Sequence, residues 1–159
     1  MEFFQEFMEQ LLRIPSITGF EEKAARFIEE QIKPYVDWVK TDTLGNVIAF
    51  KKGSGKKKAK LMFETHYDQI GLMITKIEEN GILRFTNIGG INKKSLPGKR
   101  VKILAKDEIY GIIGTKPPHL MSEDEAKKIE SLDKLYIDCG YGRQEIEKLV
   151  KVGDIAIFD

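Results

Sequence analysis

Apolar positions recur with two different periods along this chain, and the change falls near residue 70. Over residues 2–13, Phe4, Phe7, Met8, Leu11 and Leu12 fall at helical spacing and predict an amphipathic helix. The Ile14-Pro15 pair ends it, because a residue before proline avoids the α region. Thr18-Gly19-Phe20-Glu21 has the form of a capping box and predicts a second helix, with Ala24, Phe27, Ile28 and Ile32 on its buried face. Glu21 and Glu22 would complement that helix's dipole, and Lys33-Pro34 would stop it. Alternation over 36–41 and 47–50, around the turn Leu44-Gly45-Asn46, predicts a hairpin. Leu61-Met62-Phe63 has the length and composition of a short strand buried on both faces.

Beyond Gly71 the period is two. Strands are predicted over 72–77, 82–88, 100–104, 109–113, 135–138 and 155–158, with turns at Asn80-Gly81, Gly89-Gly90, Pro97-Gly98 and 106–108. Many short strands with Gly/Pro turns predict a small barrel or sandwich. Helices are expected over 122–130, with Ser122 as N-cap and Glu125 three residues on, and over 143–149. The fold class is therefore α/β: residues 1–70 form part of an α/β layer, and residues 71–159 a β-rich, barrel-like unit. Two helices and three strands are too few to cover both faces of a sheet, so the first unit is expected to need more polypeptide or a partner.

Charge narrows the function classes. The 159 residues carry 26 basic and 25 acidic groups, a net charge of +1, which leaves no bulk electrostatic case for nucleic acid or a membrane surface. The lysines of 51–60 are the one local excess. They lack a phosphate-loop pattern and interleaved aromatics, so they suit a solvated loop. A lone cysteine, Cys139, excludes an internal disulfide, and without a CxxC pair a structural zinc site is not expected. It suits a buried, small apolar position. No apolar run approaches membrane-spanning length, and the acidic N-terminus does not resemble a signal peptide, so a cytoplasmic setting is expected.

Candidate chemistry concentrates in Lys60-Leu-Met-Phe-Glu-Thr-His66-Tyr-Asp68-Gln-Ile-Gly71. In an extended segment residues i and i+2 point the same way, so His66 and Asp68 would address one spot past the carboxyl end of a strand, where open α/β sheets bind ligands. Imidazole ligates zinc, cobalt or manganese, and a nearby carboxylate can orient it. A solitary His-x-Asp is common by chance and, taken alone, is better read as an ordinary polar strand end. The other histidine, His119, lies in the Pro-rich loop Lys116–Leu120 and suits a packing role or presentation toward a site or subunit. Ser16 and Thr18 have no nucleophile-elbow context.

The stretch from Thr65 to Met73 resembles the first metal-binding motif of the tetrahedral, or glutamyl/deblocking, aminopeptidases, some of whose members carry the label endoglucanase. Thr18–Glu22, Asp42–Asn46, Asn87–Gly90, Leu96–Val101, Gly111–Leu120 and Val152–Asp154 fit in the same order, so the resemblance spans nearly the whole chain. It implies a zinc-peptidase-like α/β domain interrupted by a β-rich lid or dimerisation domain, with the interruption near residue 70. It also implies two divalent metal ions, zinc or cobalt, a peptide substrate and assembly into large homo-oligomers. By this likeness His66 would ligate one metal, Asp68 would be the catalytic-site aspartate, and the 116–120 loop would lie toward an oligomer contact. Two metals lower the pKa of a shared water and polarise the scissile carbonyl, with a glutamate as general base. Two departures stand out. Gln69 replaces the glutamate usual after the motif's aspartate, and the bridging aspartate, Glu-Glu pair, further carboxylate and final histidine would lie beyond Asp159. The expected function is the N-terminal portion of a dimetal aminopeptidase, inactive alone. The alternatives are a non-enzymatic oligomerisation or peptide-binding module and, less favoured, a glycosidase, which would need a carboxylate pair.

Overall fold

The computed structural model describes residues 2–55, 59–117 and 131–159. They divide into two compact units, Met1–Gln69 and Ile70–Asp159. The helix expected over 122–130 and the loop histidine His119 lie outside the described residues.

In the first unit, α1 (Glu2–Arg13) and α2 (Glu22–Ile32) pack together, with Phe7 and Phe27 stacked at 5.6 Å. Only part of the apolar stripe on α1 is covered: Phe7, Met8 and Leu11 are half-buried, whereas Phe4 and Leu12 stay exposed. Helix α2 passes into a 3₁₀ turn, Lys33–Tyr35, that accommodates Pro34 at its start, where the missing N–H costs no bond. The hairpin follows as β1 (Trp38–Thr41) and β2 (Val47–Phe50), antiparallel with Trp38 opposite Phe50. Its turn is built on Asp42, whose carboxylate accepts from the amides of Leu44 and Asn46 and from the Asn46 side chain, each at 2.9 Å. The Asn46 side-chain bond leads the interactions that hold the Asp42 carboxyl below the ordinary aspartate range.

Two expectations fail here. The capping box does not form: Glu21 stands at the N-cap without a side-chain cap bond and accepts instead from the Gly19 amide at 2.8 Å, while the Thr18 hydroxyl is engaged 50 residues away. A tertiary partner outcompetes the local one. Nor is Leu61-Met62-Phe63 a buried strand. These residues form no ladder, and their exposures are 80%, 82% and 88%. A strand needs a neighbour for its backbone groups, and the described residues give this segment none. The hairpin is short of cover too. Helix α2 lies on the face of Val39 and Val47, with Thr41 donating to Glu29 of α2 at 2.9 Å. Trp38, Ile48 and Phe50 point the other way and stay exposed, with the two rings stacked at 5.7 Å. Among the described residues of this unit, only Ile17, Ala24 and Ala25 are fully buried apolar positions.

The second unit closes on itself. Strands β3 (Gly71–Ile77), β4 (Leu83–Ile88), β5 (Arg100–Leu104), β6 (Glu108–Gly114), β7 (Tyr136–Asp138) and β8 (Ile155–Phe158) form a six-stranded antiparallel barrel in the order β3-β4-β7-β6-β5-β8. Inward positions alternate along each strand: Leu72 and Ile74, Leu83 and Phe85, Val101 and Ile103, Ile109 and Ile113, with Ile137 and Ala156. A seven-residue helix, α3 (Arg143–Leu149), adds Ile146 to this core, and Val150 follows it. On β6, Gly111 is an inward position without a side chain, and a Cβ there would fall 2.5 Å from Ile137 Cγ2. Strand β7 approaches that closely only because nothing fills the space. No helix among the described residues is long and apolar enough to cross a membrane.

Two outcomes test this packing. Ile137→Ala, at a fully buried position in the barrel, is expected to cost about 2–5 kcal/mol in denaturant unfolding; a loss below about 1 kcal/mol would contradict the described core. Burial, and after it the neighbouring Asp138 carboxylate, push the Cys139 thiol up to about 11. At about pH 8 iodoacetamide should therefore modify it far more slowly than it modifies the unfolded chain, with the rate rising only as pH nears the raised value. Cys139 is half-buried rather than buried as the sequence suggests, and equal rates would contradict even that shielding.

Candidate functional site

The candidate site is built where two distant segments meet. Ile17 forms a parallel bridge with Gln69. The Gln69 amide donates to the Ser16 carbonyl at 2.7 Å, and the Thr18 amide donates to the Gln69 carbonyl at 3.4 Å. Ser16, almost fully buried, donates its hydroxyl to the Tyr67 carbonyl at 3.0 Å. Ile17 between them is wholly buried and anchors the pairing. Residues 16–18 thus run beside 67–69, held by main-chain bonds that depend on no particular side chain and by the hydroxyls of Ser16 and Thr18, which do.

Tyr67 ties in a third segment by donating its hydroxyl to the Gly45 carbonyl at 2.6 Å, which brings the hairpin turn to the same place. Burial, followed by the charges of Glu21, Asp68 and Asp42, raises the pKa of this phenol, so it remains a donor.

His66 and Asp68 lie together. His66 Nδ1 is 3.1 Å from Asp68 Oδ1 and 3.2 Å from the Asp68 carbonyl oxygen. Thr18 donates its hydroxyl to Asp68 Oδ2 at 2.6 Å, and this bond is the leading cause of a carboxyl pKa below the ordinary aspartate value. The imidazole is 85% exposed, and among the described residues Nε2 has no hydrogen-bond partner. The two side chains share one spot, but not on the strand end that the sequence suggests, because residues 60–68 form no strand. Their platform is the pairing with 16–18.

Sequence reading missed Ser16, Thr18 and Tyr67 as parts of this site. The bonds of Ser16 and Thr18 span 51 and 50 residues, and no local spacing announces contacts at that range.

A neutral imidazole with an oriented ring and a free outer nitrogen is a fitting ligand for one divalent ion. A complete centre is another matter: no three His, Cys, Asp or Glu side chains among the described residues are grouped to hold a metal. Even a single catalytic zinc usually takes three protein ligands. The residues fit one corner of a metal site and not the whole. The barrel unit also carries an open polar cavity of about 630 Å³ lined by Glu78, Arg84, Tyr136 and Asp138 among others. Lys76, and after it Arg84, hold the Glu78 carboxyl below the ordinary glutamate range.

Comparison with known proteins decides the family. Residues 45–159 match the M42 glutamyl aminopeptidase family. The chain belongs to that family. It is 36% identical over 159 residues to the lysyl aminopeptidase of Pyrococcus furiosus, covering 96% of this chain and 45% of that one. Its structure is similar to that of a TET aminopeptidase from the marine sediment archaeon Thaumarchaeota archaeon SCGC AB-539-E09, at TM-score 0.86 and 33% identity, over 97% of this chain and 44% of that one. It is similar too to the Pyrococcus horikoshii TET1 peptidase, described as assembling into a tetrahedron or a large octahedral shell, at TM-score 0.77 and 36% identity, over 97% and 46% of the two chains. This M42 chain spans less than half the length of the relatives it matches.

Ser16→Ala tests the platform. It leaves the Tyr67 carbonyl without its buried donor, which costs about 1–3 kcal/mol. We expect faster hydrogen exchange at the Gln69 amide and unchanged exchange in the barrel strands. Unaltered Gln69 protection would mean that the serine hydroxyl does not support the pairing.

Proposed function

We propose that this chain carries one corner of the metal site of an aminopeptidase that removes N-terminal residues from peptides, and that it corresponds to the N-terminal portion of such an enzyme. The contact between His66 and Asp68, in a segment that matches the M42 family, is the observation that carries this reading. His66 would ligate one of two divalent ions, zinc or cobalt, through Nε2, and Asp68 would be the catalytic-site aspartate that holds the ring. Metal ions bound there would supply a water of lowered pKa and polarise the substrate carbonyl. The remaining ligands and the general base would come from polypeptide outside these 159 residues. The first unit would be part of an α/β catalytic layer of the zinc-peptidase kind, and the barrel would be a lid or dimerisation domain.

The exposed apolar groups support this division. Trp38, Ile48, Phe50 and the run 61–63 present a surface that two helices do not cover. The rest of a catalytic layer would cover it. Peptide is the proposed substrate, the cytoplasm the proposed setting, and a homo-oligomer formed through the barrel the proposed assembly. The assembly is supported by the tetrahedral and octahedral shells of the Pyrococcus horikoshii relative. A glycosidase is disfavoured, because the family that this sequence matches is that of the M42 glutamyl aminopeptidases.

The purified chain with zinc or cobalt should not turn over aminoacyl chromogenic substrates. Joined to a C-terminal portion of an M42 relative, it should gain activity, and His66→Ala should abolish it. Robust turnover by the 159-residue chain alone would overturn the incomplete-site reading, while a joined protein indifferent to His66 would overturn its role as a ligand. Light scattering on the metal-free chain addresses the alternative: a stable oligomer, without activity in any joined form, would favour an assembly module.

A further inference from the structure

Thr18 has one polar side-chain group, and it serves Asp68 rather than the helix that follows. An ionised carboxylate only accepts hydrogen bonds, so the hydroxyl must donate, and 2.6 Å is the length of a charge-assisted O–H···O bond. The last torsion of an aspartate side chain is broad and roughly two-fold. With nothing fixed on Oδ2, the group is free to turn Oδ1 away from the ring. Thr18 is itself stiff at χ1, being β-branched. Its backbone is fixed by the pairing of Ile17 with Gln69 and by the bond from the Gln69 amide to the Ser16 carbonyl. The hydroxyl and the carboxylate therefore ride on the same paired segments.

The consequence reaches the ring. Both oxygens near His66 Nδ1, the Asp68 Oδ1 and carbonyl oxygens, are acceptors. A ring with one proton must therefore hold it on Nδ1, which leaves the lone pair on Nε2 facing outward. The geometry points to Thr18 as a positioning residue for metal ligation: by holding Asp68 Oδ2 it keeps Oδ1 on Nδ1 and so sets which nitrogen of His66 is open to a divalent ion. The Thr18 hydroxyl bonds to Asp68 and not to the ring, so it acts through the carboxylate. The inference deepens the proposed function and rests on it for the meaning of the exposed Nε2.

The test uses the full 159-residue chain, ¹⁵N-labelled in its histidine rings, without metal, recorded where the ring holds a single proton. The wild-type chain should show His66 as the Nδ1–H tautomer. Thr18→Val should gain Nε2–H population, and Thr18→Ser should restore the wild-type shifts. In a cobalt(II) titration, paramagnetic loss of the His66 signals should occur at lower cobalt for wild type and Thr18→Ser than for Thr18→Val. Wild-type tautomer and cobalt response in Thr18→Val would overturn the inference, because the Asp68 carbonyl would then suffice. A serine variant that behaves like valine would overturn it as well, because the threonine would then act through packing. Both readouts need no peptide and no turnover, so failure of the aminopeptidase reading in the joined protein is separable from failure here.

Discussion

Asp68 has two carboxylate oxygens and two partners, and the first unit's chemistry depends on that division. One oxygen accepts from Thr18 and the other faces His66 Nδ1. Because Thr18 sits on a segment paired with the segment of Asp68, the arrangement needs no induced movement of side chains. Preorganisation of this kind holds the ring in one orientation in water, where an exposed imidazole would otherwise sample many. The ring is exposed, yet its inner nitrogen is committed. Exposure and order coexist because the restraint comes from below the ring.

The two units settle the same physical problem to different degrees. A closed barrel has no edge, so each strand finds a ladder partner on both sides within the unit, and alternation buries one side chain in two. The first unit has a two-stranded sheet with α2 on one face, and a hairpin of that size is marginal in water. Its stacked Trp38 and Phe50, and the bare run 61–63, keep apolar area in contact with solvent. A chain that spans less than half of its relatives' length, with most of its buried apolar core in the barrel and little in the first unit, has a physical account in the proposed division of a catalytic layer.

Much of this was legible in the residues, for reasons that differ by element. The barrel strands carry strict alternation and glycine-marked turns, which are local signals, and Ile109 to Ile113 lie in β6 as the pattern predicts. The capping box at Thr18 was misread because its sequence form is local while its actual partner is 50 residues distant. The run at Leu61 departs for the opposite reason: its composition suits a buried strand, but burial and pairing need neighbours, and the described residues supply none.

By itself, then, the sequence determined the alternation that closes the barrel, the helical stripes of α1 and α2, and the presence of a His-x-Asp pair in a family-specific setting. These are properties of spacing, and spacing is written in the chain. Only the tertiary structure decided that Thr18 serves Asp68, that Ser16 and Gln69 form the platform, and that His66 offers Nε2. Those outcomes depend on which distant groups fit best, a competition among hydrogen-bond partners that no local window contains.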